Sequence, residues 1–311
     1  MIQYLRHSEI DKPRWDECII NAVNGRVYGY SWYLDVVCPG WEALIEDGYA
    51  SVFPLTQNRK WGIRYLYQPY FSQQLGLFST MQINTGDVER FLSAIPVAFG
   101  FAEIQLNSMN NFPLEGFDVT QRVNHELNIA MDYAAISGRY AQNTRRNIRK
   151  SAEMNLSVGR ETATGALVEL FRENFGKKEG KLLPVHYMII NKLINYCLEH
   201  RLGYISGVCD SSGTLCAAAF FLFDRGHVCF LFAASAPQAR ENGAMFRLID
   251  HFLAEHAGKY GILDFEGGND PNLGRFYKGF GAEEVIYPAI RINRLPGTIS
   301  RLLYFARKIR K

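Results

Sequence analysis

Between Ile262 and Glu284 the chain reads ILDFEGGNDPNLGRFYKGFGAEE, which puts a carboxylate, a glycine pair and a phenol close together in sequence. Glu266 closes an apolar run with the look of a short strand. A carboxylate at a strand end can take a proton from an incoming ammonium, directly or through water. Gly267 and Gly268 let a substrate approach the backbone closely. Tyr277 lies where a phenol can serve as a general acid. The bland alternatives are a carboxylate that caps the next turn and an aromatic ring packed between helix and sheet. Neither a Ser-His-Asp nor a Cys-His signature is evident, so the chemistry these groups suit is direct transfer without a covalent enzyme intermediate.

Upstream, Ser235–Gly243 (SAPQARENG) is a polar loop that opens the helix continuing MFRLIDHFLAEHA. Its apolar positions 245, 248, 249, 252 and 253 follow helical spacing. Free N–H groups at such an end attract a phosphate or a developing oxyanion, which singles out Arg240, Asn242, Gly243 and Ala244. Asn242 reads equally as an ordinary N-cap. The run 228–234 (VCFLFAA) leads into the loop, and the N–H groups near Ala233 are candidates for an oxyanion site. Arg139, Arg145, Arg146, Arg149 and Lys150 form a basic run with no acid between them. Arg145 and Arg149 share one helical face, Arg146 and Lys150 the next. Such a face binds phosphates of RNA, coenzyme A or a lipid-linked sugar, or is simply solvated. Lys177, Lys178 and Lys181 sit in a Gly-bearing loop between two helices, a candidate lid or a plain surface connection.

These groups need elements to hold them, and a chain of 311 residues suggests two domains. A hydrophobic fraction of 48% supplies proper cores, and the net charge of +3 does not by itself argue for nucleic acid. The six Cys are scattered without CxxC spacing and the seven His without HExxH spacing, so no disulfide framework or metal site is expected. No signal peptide and no apolar stretch long enough to span a bilayer is visible, so a cytoplasmic protein, peripheral at most at the inner membrane face, is expected.

The order of elements repeats. Strands are read at 41–47, 49–56, 63–71, 102–107 and 122–131 in the first half, with a helical segment at 87–99 that Pro96 ends or kinks. The second half has strands at 204–210, 216–223, 228–234, 262–268 and 283–293. Helices are read at 138–155, with Ser137 as N-cap, at 164–175, and at 185–200, with Ile189, Leu193, Ile194 and Cys197 on one face. Strands alternating with single helices indicate an α/β layer architecture, and a repeat this long indicates duplication. The expected divisions are a domain over 1–131, a second over 132–293 with a helical insertion at 132–203, and a tail at 294–311. The tail has six basic residues and no acidic one, with an apolar stripe at Ile299, Leu302, Leu303, Ala306 and Ile309. It reads as a helix that lies on an anionic membrane or packs on the protein's own core.

The stretch Leu215–Asn293, with NTRRNIRKSAE upstream and FEGG and RFYKGFGA within it, resembles the Fem-type (FemAB-like) branch of the GNAT acyltransferase superfamily. Residues 130–293 carry the resemblance, and the first half shares it by architecture. It implies tandem GNAT-like domains, each a mixed central sheet flanked by helices, the first degenerate and shaping the acceptor site. It implies an acyl- or aminoacyltransferase acting on an amine, such as that of a peptidoglycan precursor. Setting YKGFGA against the common YEKLGF gives Tyr277 the role of protonating the leaving group, and the loop holding Lys177, Lys178 and Lys181 that of covering the acceptor. No permanently bound cofactor is implied. The donor is aminoacyl-tRNA or acyl-CoA, and DNA is not a partner. The common GNAT loop Q/R-x-x-G-x-G/A appears as Arg240-Glu241-Asn242-Gly243-Ala244-Met245, and the bulky Met245 tilts the donor away from coenzyme A. Two readings stay open beside it: an acyl-CoA-dependent enzyme acting on a small amine, and a non-catalytic GNAT-fold binding module.

Overall fold

The structure is a computed structural model that describes residues 1–160, 162–176 and 182–297. The chain divides into two compact units, Met1–Arg122 with Ile286–Lys311 (unit 1) and Val123–Val285 (unit 2).

Unit 1 begins with β1 (Gln3–Leu5), α1 (Lys12–Asn21), α2 (Ser31–Val37), β2 (Glu42–Glu46), β3 (Ser51–Leu55), β4 (Gln57–Lys60) and β5 (Ile63–Tyr67). It continues through β6 (Phe78–Ser79), α3 (Thr85–Ala94) and β7 (Phe99–Gln105). The Asp11 side chain caps α1 by accepting from the Arg14 N–H, and Pro13 sits in the first turn, where a missing N–H costs nothing. Asn84 and Asp87 cap α3 reciprocally. Strands β1, β2, β3 and β6 form one antiparallel sheet. In the other sheet β5 pairs antiparallel with β4 and parallel with β7. Alternation along these strands sends Leu66, Ala102 and Ile104 into a core with Val88, Phe91 and Leu92 of α3. The helical segment stops at Ala94, ahead of Pro96, and the next strand already begins at Phe99.

Strand β8 (Asp118–Asn128) runs from unit 1 into unit 2, where α4 (Tyr133–Gly138), α5 (Gln142–Glu153), β9 (Ser157–Gly159), α6 (Thr164–Phe171) and α7 (Pro184–Glu199) follow. Then come β10 (Gly203–Cys209), β11 (Leu215–Asp224), β12 (His227–Ser235), α8 (Ala239–Asn242), α9 (Ala244–His256), β13 (Ile262–Asp264) and α10 (Pro271–Lys278). The strand order is β8-β13-β12-β11-β10-β9, antiparallel except where β12 and β13 run parallel. Leu248, Ile249, Phe252 and Leu253 of α9 are buried in the core against this sheet, and the Phe252 ring stacks 3.9 Å from that of Phe221. Asp250, on the same helix, is buried too, and it accepts from the hydroxyls of Tyr133 (2.7 Å) and Tyr140 (3.1 Å). Burial and that carboxylate push the Tyr133 phenol up to about 12.

Three expectations are corrected. Each half was read as closing on its own last strand. Instead Glu126–Asn128 of β8 pair with Ile262–Asp264, and β14 (Glu283–Asn293) returns to pair with β7. The helix read over 138–155 behind Ser137 begins only at Gln142 behind Ala141, and Ser137 belongs to the preceding helix α4. The strand read over 262–268 stops at Asp264, because Glu266 adopts a left-handed φ of 57° and Gly268 a φ of 146°, which ends the extended run. A smaller difference is that Ile190 rather than Ile189 joins Leu193, Ile194 and Cys197 on the buried face of α7.

Candidate active site of unit 2

Parallel pairing of β12 with β13 stops at Cys229↔Asp264, while β12 continues to Ser235. Just beyond that point β12 is bulged at Leu231, since Phe221 faces Phe230 and Phe220 faces Phe232. A bulge re-aims the strand that carries it. The groups suited to proton transfer gather where β13 ends. The Asp264 carboxylate is buried and accepts from Asn124 Nδ2 (2.8 Å) and from the Glu266 N–H (2.8 Å). Cys229, Asp264 and Glu266 each place a side-chain ligand atom within 4.8 Å of the others. The spacing arguments excluded metal ligands, but these three residues come from two strands and a turn, so their proximity is invisible in the sequence. One Asp264 oxygen is already held by two protein donors.

His125 fixes the turn that carries Glu266. Its ring is buried on β8, and Nδ1 lies 3.0 Å from the Gly267 carbonyl, the geometry of an Nδ1–H donor. Nε2 is buried without a hydrogen-bond partner and sits 4.0 Å from Glu284 Oε1. A Cβ on Gly268 would fall 2.1 Å from His125 Nδ1, and one on Gly274 3.1 Å from its Cε1. The glycines therefore serve the approach of this imidazole as well as the turn itself.

Tyr277 is buried, its ring stacked 4.5 Å from that of Phe265 and 6.0 Å from that of His125. A Cβ on Gly267 would lie 3.8 Å from its hydroxyl. Burial first, and then the negative charges of Glu266, Asp264 and Asp270, push this phenol well above the ordinary tyrosine value. At neutral pH it carries its proton, the state a general acid needs. Glu266 and Tyr277 thus meet around one turn, with a carboxylate pair beside a proton donor. His125, Asn124, Asp264 and Cys229 are the members that sequence reasoning passed over. Little in the sequence announces them: Asn124 and His125 lie in a strand that is polar at most positions, and their burial there depends on partners far along the chain.

The loop before α9 is arranged differently from the expected phosphate cradle. Gly243 has a left-handed φ of 72° and is buried, and a Cβ there would meet the Asn147 carbonyl of α5 at 2.8 Å and Ser151 Cβ at 3.3 Å. The close backbone approach is made by α5. Asn242 Oδ1 accepts from the Ala244 N–H (3.0 Å) while its Nδ2 donates to Cys216 Sγ (3.3 Å), and Ala244 is fully buried. Asn242, Gly243 and Ala244 therefore cap and pack, whereas Arg240 is exposed. Ala233 lies in register with Ala219 of β11. On α5 itself Thr144 and Ser151 face inward, and Arg145, Arg146, Arg149 and Lys150 are exposed together. Arg145 donates to the Gly138 carbonyl and Arg146 to Asn143. Lys177, Lys178 and Lys181 lie outside the described residues, as does most of the tail over 294–311.

A mixed sheet flanked by helices in each unit is the fold that the chain shares with solved structures of other proteins, a FemX among them. No family profile and no curated protein sequence matches the chain. Solved structures do. The chain is similar to FemX over 97% of its own length and 99% of the other, at a TM-score of 0.66 and 14% identity. It is similar to L-PGS from Bacillus licheniformis over 97% and 98%, at 0.56 and 9%. The C-terminal domain (DUF2156) of a putative lysylphosphatidylglycerol synthetase from Agrobacterium fabrum matches over 95% of each chain, at 0.54 and 10%. Among the described residues no helix is long and apolar enough to cross a membrane.

Proposed function

We propose that this chain transfers an activated acyl or aminoacyl group to an amine, with a cell-envelope component as acceptor and aminoacyl-tRNA as donor. The meeting of Glu266, Asp264 and Tyr277 at the end of β13 carries the reading. The acceptor ammonium gives a proton to Glu266, and its nitrogen bonds to the donor carbonyl carbon. The tetrahedral oxyanion collapses, the bond to the leaving oxygen breaks, and the Tyr277 phenol supplies that oxygen's proton. Glu266 then returns its proton to solvent, and the second proton that the nitrogen sheds on becoming an amide restores the Tyr277 phenol, so protons balance over the cycle.

Two observations favour aminoacyl-tRNA over acyl-CoA. The glycine that would cradle a pyrophosphate is covered by α5, and α5 turns its cations outward, as suits a long polyanion. The names of the structural neighbours, a Fem protein and lysylphosphatidylglycerol synthetases, support an envelope acceptor, and with it a cytoplasmic protein peripheral to the inner membrane face. The test is a transfer assay with charged tRNA and lipid-linked or soluble envelope precursors. Tyr277→Phe and Glu266→Gln should each slow transfer about 10²–10⁴-fold without loss of fold. Transfer at the wild-type rate in both variants would leave the non-catalytic binding module as the better account, and heat protection by coenzyme A alone would replace the donor.

A further inference from the structure

Unit 1 has a groove of its own. One face of its β5–β7–β14 strands is core: Leu66, Ala102, Ile104 and Ile290 are buried there. By alternation the other face carries Tyr65 and Tyr67 of β5, Phe101, Glu103 and Gln105 of β7, and Arg291 of β14. The register lines these up in rows, with Tyr65 beside Phe101, Tyr67 beside Glu103, and Glu103 beside Arg291. From β8 come Asp118, Thr120 and Arg122, spaced two apart, while the intervening Val119 packs on the core. These residues enclose a groove of about 480 Å³, within the range of small-ligand sites.

We propose that this groove binds a sugar, a ring or a short saccharide. A pyranose presents a flat C–H face and a rim of hydroxyls that each donate and accept. The C–H face packs on the electron-rich faces of aromatic rings, and Tyr65, Tyr67 and Phe101 supply them, the two tyrosine rings 6.0 Å apart. Hydroxyl rims are best met by planar groups that fix direction: carboxylates as acceptors, guanidinium groups as donors, carboxamides as both. Glu103, Asp118, Arg122, Arg291 and Gln105 are that set, while Gln68 braces the wall by accepting from the Gln105 N–H and donating to the Ser72 carbonyl. Two carboxylates against two guanidinium groups leave no net charge, which disfavours a polyanion and suits a neutral ligand of many hydroxyls. The Arg291 guanidinium already lies 5.5 Å over the Phe101 ring. Arg122 adds an independent sign. Its Nε is buried without a hydrogen-bond partner, a donor whose desolvation nothing offsets until a ligand oxygen accepts from it.

The inference stands apart from the transferase reading, because it concerns binding alone. Saturation-transfer NMR on the full chain with chitobiose, a β-linked N-acetylglucosamine disaccharide, tests it, with alanyl-alanine and uridine monophosphate as comparison probes. Saturation should pass from aromatic protons to the sugar C–H groups, and persist in Glu266→Gln whatever that change does to transfer. Arg122→Met should weaken chitobiose binding about tenfold while leaving the unfolding temperature unchanged or higher, since an unsatisfied donor is removed. Phe101→Leu, which keeps an apolar side chain on the same face, should weaken it similarly. No transfer to the sugar, stronger transfer to the dipeptide or nucleotide, or unchanged affinity in both variants would overturn the proposal.

Discussion

The two units end their parallel strand pairs with different chemistry. In unit 1, β5 runs parallel to β7, and the chain leaving β7 enters a buried cluster of carboxamides: Asn24, Gln74, Asn107 and Asn110. Asn107 Nδ2 donates to the carbonyls of Leu75 (3.0 Å) and Leu77 (3.1 Å), Asn110 Oδ1 accepts from the Leu77 N–H (2.8 Å), and Asn24 Nδ2 donates to the Leu77 carbonyl (2.7 Å). In unit 2, β12 runs parallel to β13, and the chain leaving β13 enters Asp264, Glu266, His125 and Tyr277. Carboxamides have two donors and an acceptor and never titrate; carboxylates, imidazole and phenol move protons. The same turn in the architecture is therefore locked in one unit and armed in the other.

Substitutions should separate the two roles, and the largest effect is expected at Gly268. Alanine there would combine a 2.1 Å clash with His125 and a φ of 146°. A loss of about 3 kcal/mol in denaturant unfolding is expected, together with loss of transfer, because the turn bearing Glu266 cannot keep its shape. Next is Asn107→Ala, which takes its donor from the Leu75 carbonyl and opens the buried carboxamide cluster, while the Leu77 carbonyl keeps Asn24 and Asn110. Stability should fall by about 1–3 kcal/mol, while the transfer rate per folded molecule stays at the wild-type value. A fall in that rate at full folding would blur the division between the units. Third is pH. The Tyr277 phenol is raised by burial, so the folded state holds its proton more tightly than the unfolded chain does. The stability this contributes is complete below the ordinary tyrosine value near 10 and is lost as pH climbs above it. The alkaline limb of the transfer profile should accordingly lie above about 10, and a limb well below that value would assign the acid role elsewhere. The smallest expected effect is Arg149→Glu with Lys150→Glu on exposed α5. Stability should change by no more than about 0.5 kcal/mol, while tRNA binding weakens and its salt dependence becomes shallower.

Much of this was legible in the sequence because it is local. Continuous apolar runs on either side of a polar turn indicated the strands at 216–223 and 228–234, helical spacing indicated α9, and the placing of Glu266 and Tyr277 around a glycine turn was visible in FEGG and RFYKGFGA. What stayed hidden depends on partners far along the chain. Asn124 and His125 meet Asp264 and Gly267 only after β8 pairs with β13. The Gly243 loop has the composition of an anion cradle, and nothing in its own residues announces that Asn147 and Ser151 will fill the space above it. The exchange of last strands was equally invisible, since RVNHELNIAM and EEVIYPAIRIN carry the same strand pattern whichever neighbour they join.

That exchange has a consequence during synthesis. The sheet of unit 1 lacks the strand supplied by Ala289–Asn293 until those residues, which follow all of unit 2 in the chain, leave the ribosome. All of unit 2 must therefore emerge before unit 1 can finish folding, and a product truncated within unit 2 would carry an incomplete first unit with Ile104 and Ala102 short of their partners on that strand.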